Sequence, residues 1–222
     1  MADIAKLQEE FETLVCNNIK REGIDDLLEY LRTSDFFVSP ASTKYHGSYA
    51  GGLVEHSLNV YYCLTNYLQY LYGPQWQQAY SLETATIVSL FHDMCKIGRY
   101  KPGTRNVKDP ITGQWNSVPT YLYNEDSLSL GHGAASVFKI QHFIKLTDDE
   151  IGAIYWHMGA YDLGTYNTVG DLGNSMSKNI LIWALQSADM EATYIVENPN
   201  FKPIPIEADA TALNKDNDVP WD

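Results

Sequence analysis

Six histidines punctuate this chain, and four of them, His56, His92, His132 and His157, fall on or at the ends of expected helices in its central portion. His92 is followed directly by Asp93, and Asp189 sits in the apolar stretch SADMEA with Trp183, Leu185 and Ile195 on neighbouring turns. A carboxylate in such a stretch is costly to bury unless it is paired or bound to a metal. Divalent cations accept imidazole nitrogen and carboxylate oxygen together, and two-metal sites activate a water for attack at phosphorus. Any one of these residues is also compatible with an ordinary surface or core role. The His-Asp dipeptide is common by chance, so spacing alone does not make a motif of them.

The elements that must position these side chains read as helices. Residues 4–20 place Ile4, Leu7, Phe11, Leu14 and Val15 on one face, and 24–33 suggest a second helix before the Ser39-Pro40 turn signal. After a loop over 40–52 that ends in two glycines, residues 53–71 form a long helix, and Ser81 caps another whose apolar run ends at Phe91-His92-Asp93. Helices are expected again over 132–145 and 148–158, where Thr147 and Glu150 have capping-box spacing, and over 175–195. Residues 98–130 carry three prolines and three glycines, and read as a long irregular loop with a short hairpin turn around Pro110–Gly113. Strand-like alternation is nearly absent. The expected fold is all-α, in one domain over 1–222, with a core over 35–195 and an irregular tail over 199–222.

Composition narrows the function classes. The 222 residues carry 15 basic and 28 acidic side chains, a formal charge of −13. Proteins that bind long nucleic acids usually present a basic field, so a small phosphorylated substrate is easier to reconcile with this balance. No apolar run reaches the roughly 20 residues needed to cross a bilayer, the first residues do not read as a secretory signal, and Cys16, Cys63 and Cys95 are scattered. A cytoplasmic protein with reduced thiols is expected.

The run YHGSYAGGLVEHSLNV, followed 36 residues after His56 by SLFHDMCKIG, resembles the HD-domain superfamily of metal-dependent phosphohydrolases. SLGHGAAS, YWHMGAYD and QSADMEATY resemble its later blocks in order, closest to the branch with bacterial 3′–5′ exoribonucleases and prophage-encoded hydrolases. The resemblance spans residues 35–195 and implies an HD-type helical bundle. It implies that His56, His92, Asp93 and Asp189 hold one divalent ion, and that His132 and His157 complete a second position with Asp93 bridging. Manganese, iron, cobalt, nickel, zinc and magnesium are all compatible with such ligands.

Lys96, three residues after Asp93, is the family's phosphate-contacting position, whereas by spacing alone it is equally an exposed lysine near a helix C-terminus. Asp93 and Lys96 are the expected catalytic residues. His46, Lys96 and Arg99 are expected to bind substrate, with Lys101, Arg105 and Lys108 as further positive charge. Tyr100, Trp115, Tyr121 and Tyr123 could stack on a base or pack on their own domain. Glu55 is a candidate to orient His56, while Cys95 and His142 read as structural. The expected activity is hydrolysis of a nucleotide or short-oligonucleotide phosphoester. The alternatives are a 3′–5′ exoribonuclease or phosphodiesterase, a di-iron oxygenase, and a nucleotide sensor without turnover.

Overall fold

Residues 3–127, 130–163 and 168–203 are described by the computed structural model. Apolar spacing dictates the first elements. Helix α1 (Ile4–Asn18) buries Phe11 and Val15, and α2 (Ile24–Thr33) buries Leu27, Leu28 and Leu31. Helix α3 (Gly52–Tyr72) and α4 (Leu82–Phe91) form the centre. Every residue from Ala85 to Phe91 is buried, as befits a helix that is apolar all round. Ser81 caps α4 by accepting from the Thr84 amide at 3.0 Å.

The second half of the chain closes over this centre. Helix α5 (His132–Ile140) packs on α6 (Asp148–Trp156), α6 on α8 (Ile180–Glu191), and α3 on both α4 and α8. The capping box at Thr147 and Glu150 forms as its spacing predicts, so α6 starts at a defined residue. Among the described residues, no helix is long and apolar enough to cross a membrane.

Two expectations need correction. Within the stretch expected as an irregular loop over 98–130, residues 100–123 form a β-hairpin, and the described residues are predominantly rather than wholly α. Strands β1 (Tyr100–Lys108) and β2 (Trp115–Tyr123) pair antiparallel, with Tyr100 opposite Tyr123 and Lys108 opposite Trp115. The expected turn is where the sequence places it: Asp109 Oδ1 accepts from the amides of Ile111 and Thr112, both at 2.8 Å, and Gly113 takes φ 72°. The strands were illegible because most of their side chains are exposed, which leaves no alternation to read. Pro102 and Pro119 are tolerated because each strand of a two-stranded ribbon has an open edge.

The single helix expected over 175–195 is also two. Helix α7 (Val169–Lys178) ends at Asn179, whose extended backbone (φ −136°) starts α8. The Asn179 side chain accepts from the Leu181 amide at 3.0 Å and donates to the Asp149 carbonyl at 2.8 Å. Asparagine competes with the helix in this way, and one residue both ends α7 and caps α8. Beyond Glu191 the chain continues as a π-type turn, Ala192–Val196. The expected tail lies outside the described residues from 204 onward.

Close helix packing depends on Gly133. A Cβ there would stand 2.0 Å from the Tyr155 carbonyl oxygen, which is backbone and cannot swing away. Gly133 follows His132, and Tyr155 precedes His157 by two residues, so this contact sets the approach of two candidate ligands. Gly133→Ala is expected to cost about 1–3 kcal/mol, read as a lower unfolding midpoint in denaturant. An unchanged midpoint would show that the contact does not constrain the α5–α6 packing.

Candidate metal centre

One end of the bundle gathers the ends of several helices. His56 lies in the first turns of α3, His92 is the C-cap of α4, His132 opens α5, His157 is the C-cap of α6, and Asp189 sits in the last turn of α8. Asp93 follows His92 in the turn between α4 and the 3-10 turn Met94–Lys96, with φ −103° and ψ 21°. The expectation that His92 and Asp93 share a helix is thus corrected. The helix ends at Phe91, and the change of direction aims both side chains at one point.

The two C-cap histidines are held alike. His92 Nδ1 lies 2.7 Å from the Ser89 carbonyl oxygen, and His157 Nδ1 lies 2.7 Å from the Ile154 carbonyl oxygen. A carbonyl can only accept, so Nδ1 carries the proton in each ring, and the last turn of each helix gains a donor. Each Nε2 is left to face inward. His56 repeats the pattern with a carboxylate, its Nδ1 lying 2.9 Å from Glu197 Oε1.

These inward faces converge on Asp93. Its Oδ2 is 3.4 Å from His92 Nε2 and 3.7 Å from His56 Nε2, and its Oδ1 is 3.7 Å from His157 Nε2. Asp189 Oδ1 stands 3.1 Å from His56 Nε2. Candidate ligand atoms lie within 4.8 Å of one another in overlapping groups: His56, His92 and Asp93; His92, His157 and Asp189; Asp93, Cys95 and His132. All six expected ligands are therefore brought together. Among the described residues, the Nε2 atoms of His46, His56, His92, His132 and His157 are all buried without a hydrogen-bond partner.

Electrostatics support a cation here. Burial opposes protonation of His56, but the carboxylates of Asp189 and Glu197 outweigh it and raise its pKa to about 10. Burial also works against the Asp93 carboxylate, yet Lys96, His92 and His157 hold it well below the ordinary range. Positive charge is required between these groups, and a metal supplies it as well as a proton does. Burial pushes His46 and His132 down to about 4, so both are neutral with a lone pair to offer. Donors of this kind fit a divalent ion: imidazole nitrogens with fixed tautomers, two carboxylates, and unsatisfied atoms aimed inward.

Lys96 is buried, not an exposed lysine at a helix end, and its Nζ lies 2.5 Å from Asp93 Oδ2. It lines a cavity of about 200 Å³ together with Asp93, Tyr100, Tyr123, Tyr161 and Tyr194. His46 also lines this cavity, its ring 4.8 Å from that of His56. Arg99 does not. Its guanidinium sits 5.8 Å from the ring centroid of Tyr123, a wall residue. Trp115, at the far end of the hairpin, is likewise not in the wall, whereas Tyr100 and Tyr123 are.

Cys95 Sγ lies 3.9 Å from Asp93 Oδ1, in one candidate group with Asp93 and His132. Burial pushes its thiol up to about 12, which leaves it protonated and a poor nucleophile. His142 bonds the Phe138 carbonyl far from the centre, as a structural residue would.

The role considered for Glu55 belongs elsewhere. Glu55 accepts from the Tyr49 hydroxyl at 2.7 Å, and Glu197 is the carboxylate behind His56. Asn59 Nδ2 steadies Glu197 at 3.0 Å. Glu197 lies eight residues beyond Asp189 and is carried round by the π-type turn, so no helical spacing announces it. The acidic residue after an aspartate-bearing helix was the only available signal. Glu197→Ala is expected to weaken metal binding about 10–100-fold, measured by competition with a metal indicator. Unchanged affinity would show that His56 needs no partner at Nδ1. Tyr161 and Tyr194 are further wall residues that no motif or spacing singles out.

No protein-family model, curated protein or solved structure matches this chain.

Proposed function

We propose that the chain is an HD-type metal-dependent phosphohydrolase acting on the phosphoester of a nucleotide or short oligonucleotide. The observation that carries this reading is the convergence of buried, unpartnered histidine Nε2 atoms on Asp93 and Asp189. His56, His92, Asp93 and Asp189 would hold one ion, and His132 and His157 a second, with Asp93 shared. A pair of divalent ions supplies Lewis-acid polarisation of a phosphoryl oxygen and acidifies a water that serves as nucleophile.

The chain's own residues do the rest. Lys96 neutralises Asp93 and presents its ammonium to the cavity, where charge develops on the phosphoryl oxygens. The histidine tautomers are fixed by Ser89, Ile154 and Glu197, so no reorientation is needed when substrate arrives. Pockets for drug-sized ligands enclose roughly 300–1,000 Å³, and about 200 Å³ is below that range. The cavity therefore suits a phosphate with part of a sugar. A flat base would rest outside, against the exposed rings of Tyr123, Tyr161 and Tyr194.

The test is a screen of the manganese-, cobalt- and magnesium-supplemented chain against nucleoside mono-, di- and triphosphates, cyclic nucleotides and short RNA. Metal-dependent phosphate release from one of these classes is expected, with loss on chelation. Activity that persists in excess chelator would refute the reading.

A further inference from the structure

A second cleft lies beside the metal cavity, and its lining differs in kind from the rest of the molecule. It holds about 310 Å³ between the loop before α3 and the hairpin, and is lined by Thr43, Lys44, Ser48, Arg105, Thr120 and Tyr121 among others. Two cations and four hydroxyl groups face it, with no acidic residue, in a chain where acidic residues outnumber basic ones 28 to 15. Among the described residues, neither Lys44 nor Arg105 forms an ion pair, although other arginines of the chain do: Arg21 pairs with Glu150 and Arg32 with Glu12. Lys44 rests near the Tyr45 ring, 5.8 Å from its centroid.

The cleft and the metal cavity draw neighbouring residues from the same two segments, with no lining residue in common. Ala41, Ser42 and His46 line the cavity, while Thr43, Lys44 and Ser48 of the same loop line the cleft. In the hairpin, Tyr100 and Tyr123 at the base line the cavity, and Arg105, Thr120 and Tyr121 further out line the cleft. The Thr120 hydroxyl, 3.4 Å from the Thr43 carbonyl oxygen, ties the two walls together. The cleft offers hydroxyl groups and cations that have no ion-pair partner among the described residues, the chemistry that recognises a phosphate oxygen.

We infer that this cleft is a phosphate subsite, which takes a second phosphate of the substrate while the first lies at the metal centre. The inference rests on the phosphohydrolase reading for the identity of the first group. It makes the preferred substrate one that bears at least two phosphates. The second phosphate has two chemical sources, the polyphosphate chain of one nucleotide or the next internucleotide linkage of a short strand.

Displacement of a fluorescent nucleotide, followed by stopped flow so that binding is read before turnover, tests the inference on the manganese-loaded chain. The competitors are adenosine 5′-monophosphate, adenosine 5′-triphosphate and the 5′-phosphorylated dinucleotide of adenosine. At least one of the last two is expected to bind about tenfold or more tightly than the monophosphate, and which one does identifies the source. In the double variant K44A/R105A that preference should shrink to about twofold or less, whereas K178A, on α7, should retain it. Equal binding of all three competitors, or a preference that survives in K44A/R105A, would overturn the subsite. A preference lost in K44A/R105A, but with no hydrolysis of any competitor by the native chain, would keep the subsite and remove the phosphohydrolase reading.

Discussion

Asp93→Ala is expected to abolish stoichiometric metal binding and to lower phosphoester hydrolysis by more than about 100-fold. Asp93 faces His56, His92 and His157 together, at 3.4 to 3.7 Å. Loss of a group that merely orients a ligand costs 10–100-fold in affinity or activity, and a shared direct ligand must cost more. The alanine variant also leaves the Lys96 ammonium buried without its partner, which destabilises the fold independently. Asp93→Asn separates the two effects. It preserves volume and a hydrogen-bonding oxygen for Lys96, yet it removes the charge that two cations require. Metal analysis of folded Asp93→Asn is the decisive measurement, with circular dichroism to establish that the chain is folded. Full metal content and activity in that variant would remove Asp93 from the centre.

Arg21→Ala is expected to destabilise the chain by about 3–5 kcal/mol. Arg21 grips Glu150 bidentately, at 2.6 and 2.7 Å, and the Glu150 side chain is 0% exposed. A third bond from Arg21 reaches the Lys145 carbonyl at 2.8 Å, and Nε lies 3.5 Å from Glu83. One guanidinium thus joins the α1–α2 connection to the starts of α4 and α6, the helices that deliver His92 and His157. Its partner has a second duty, since Glu150 Oε2 also accepts from the Thr147 amide to close the capping box. Removing Arg21 strands a buried carboxylate, so the cost is large for a single side chain. For a chain of this size that is a fall of about 10 °C in the unfolding midpoint. The double variant R21M/E150M should lose less than R21A, because it strands no charge. A midpoint within about 2 °C of the native value for R21A would show that the pair contributes little, as exposed ion pairs do.

The helices and their caps were legible because their signals are local. Ser81, Thr147 and Glu150 cap where spacing predicts, and the apolar faces of α1 to α3 follow the helical period. The site residues were legible through resemblance more than through spacing, since the six ligands come from five separate stretches, His92 and Asp93 sharing one, and only folding brings these together. What escaped was set by tertiary context. The hairpin strands bury too little to alternate, and the Asn179 break relies on a hydrogen bond to Asp149 thirty residues away. Glu197 reaches His56 from 141 residues beyond it, through a π-type turn that no sequence period announces. Lys96 was legible as a residue of interest, but its burial against Asp93 was not.

The most direct test of the account is a metal titration of the chelator-treated native chain with cobalt(II), followed by its visible absorption and by elemental analysis after gel filtration. Two ions retained per chain, with a spectrum that changes in His56→Ala and in His132→Ala, is the result the converging histidines predict. A native chain that is folded by circular dichroism yet retains no ion would contradict it.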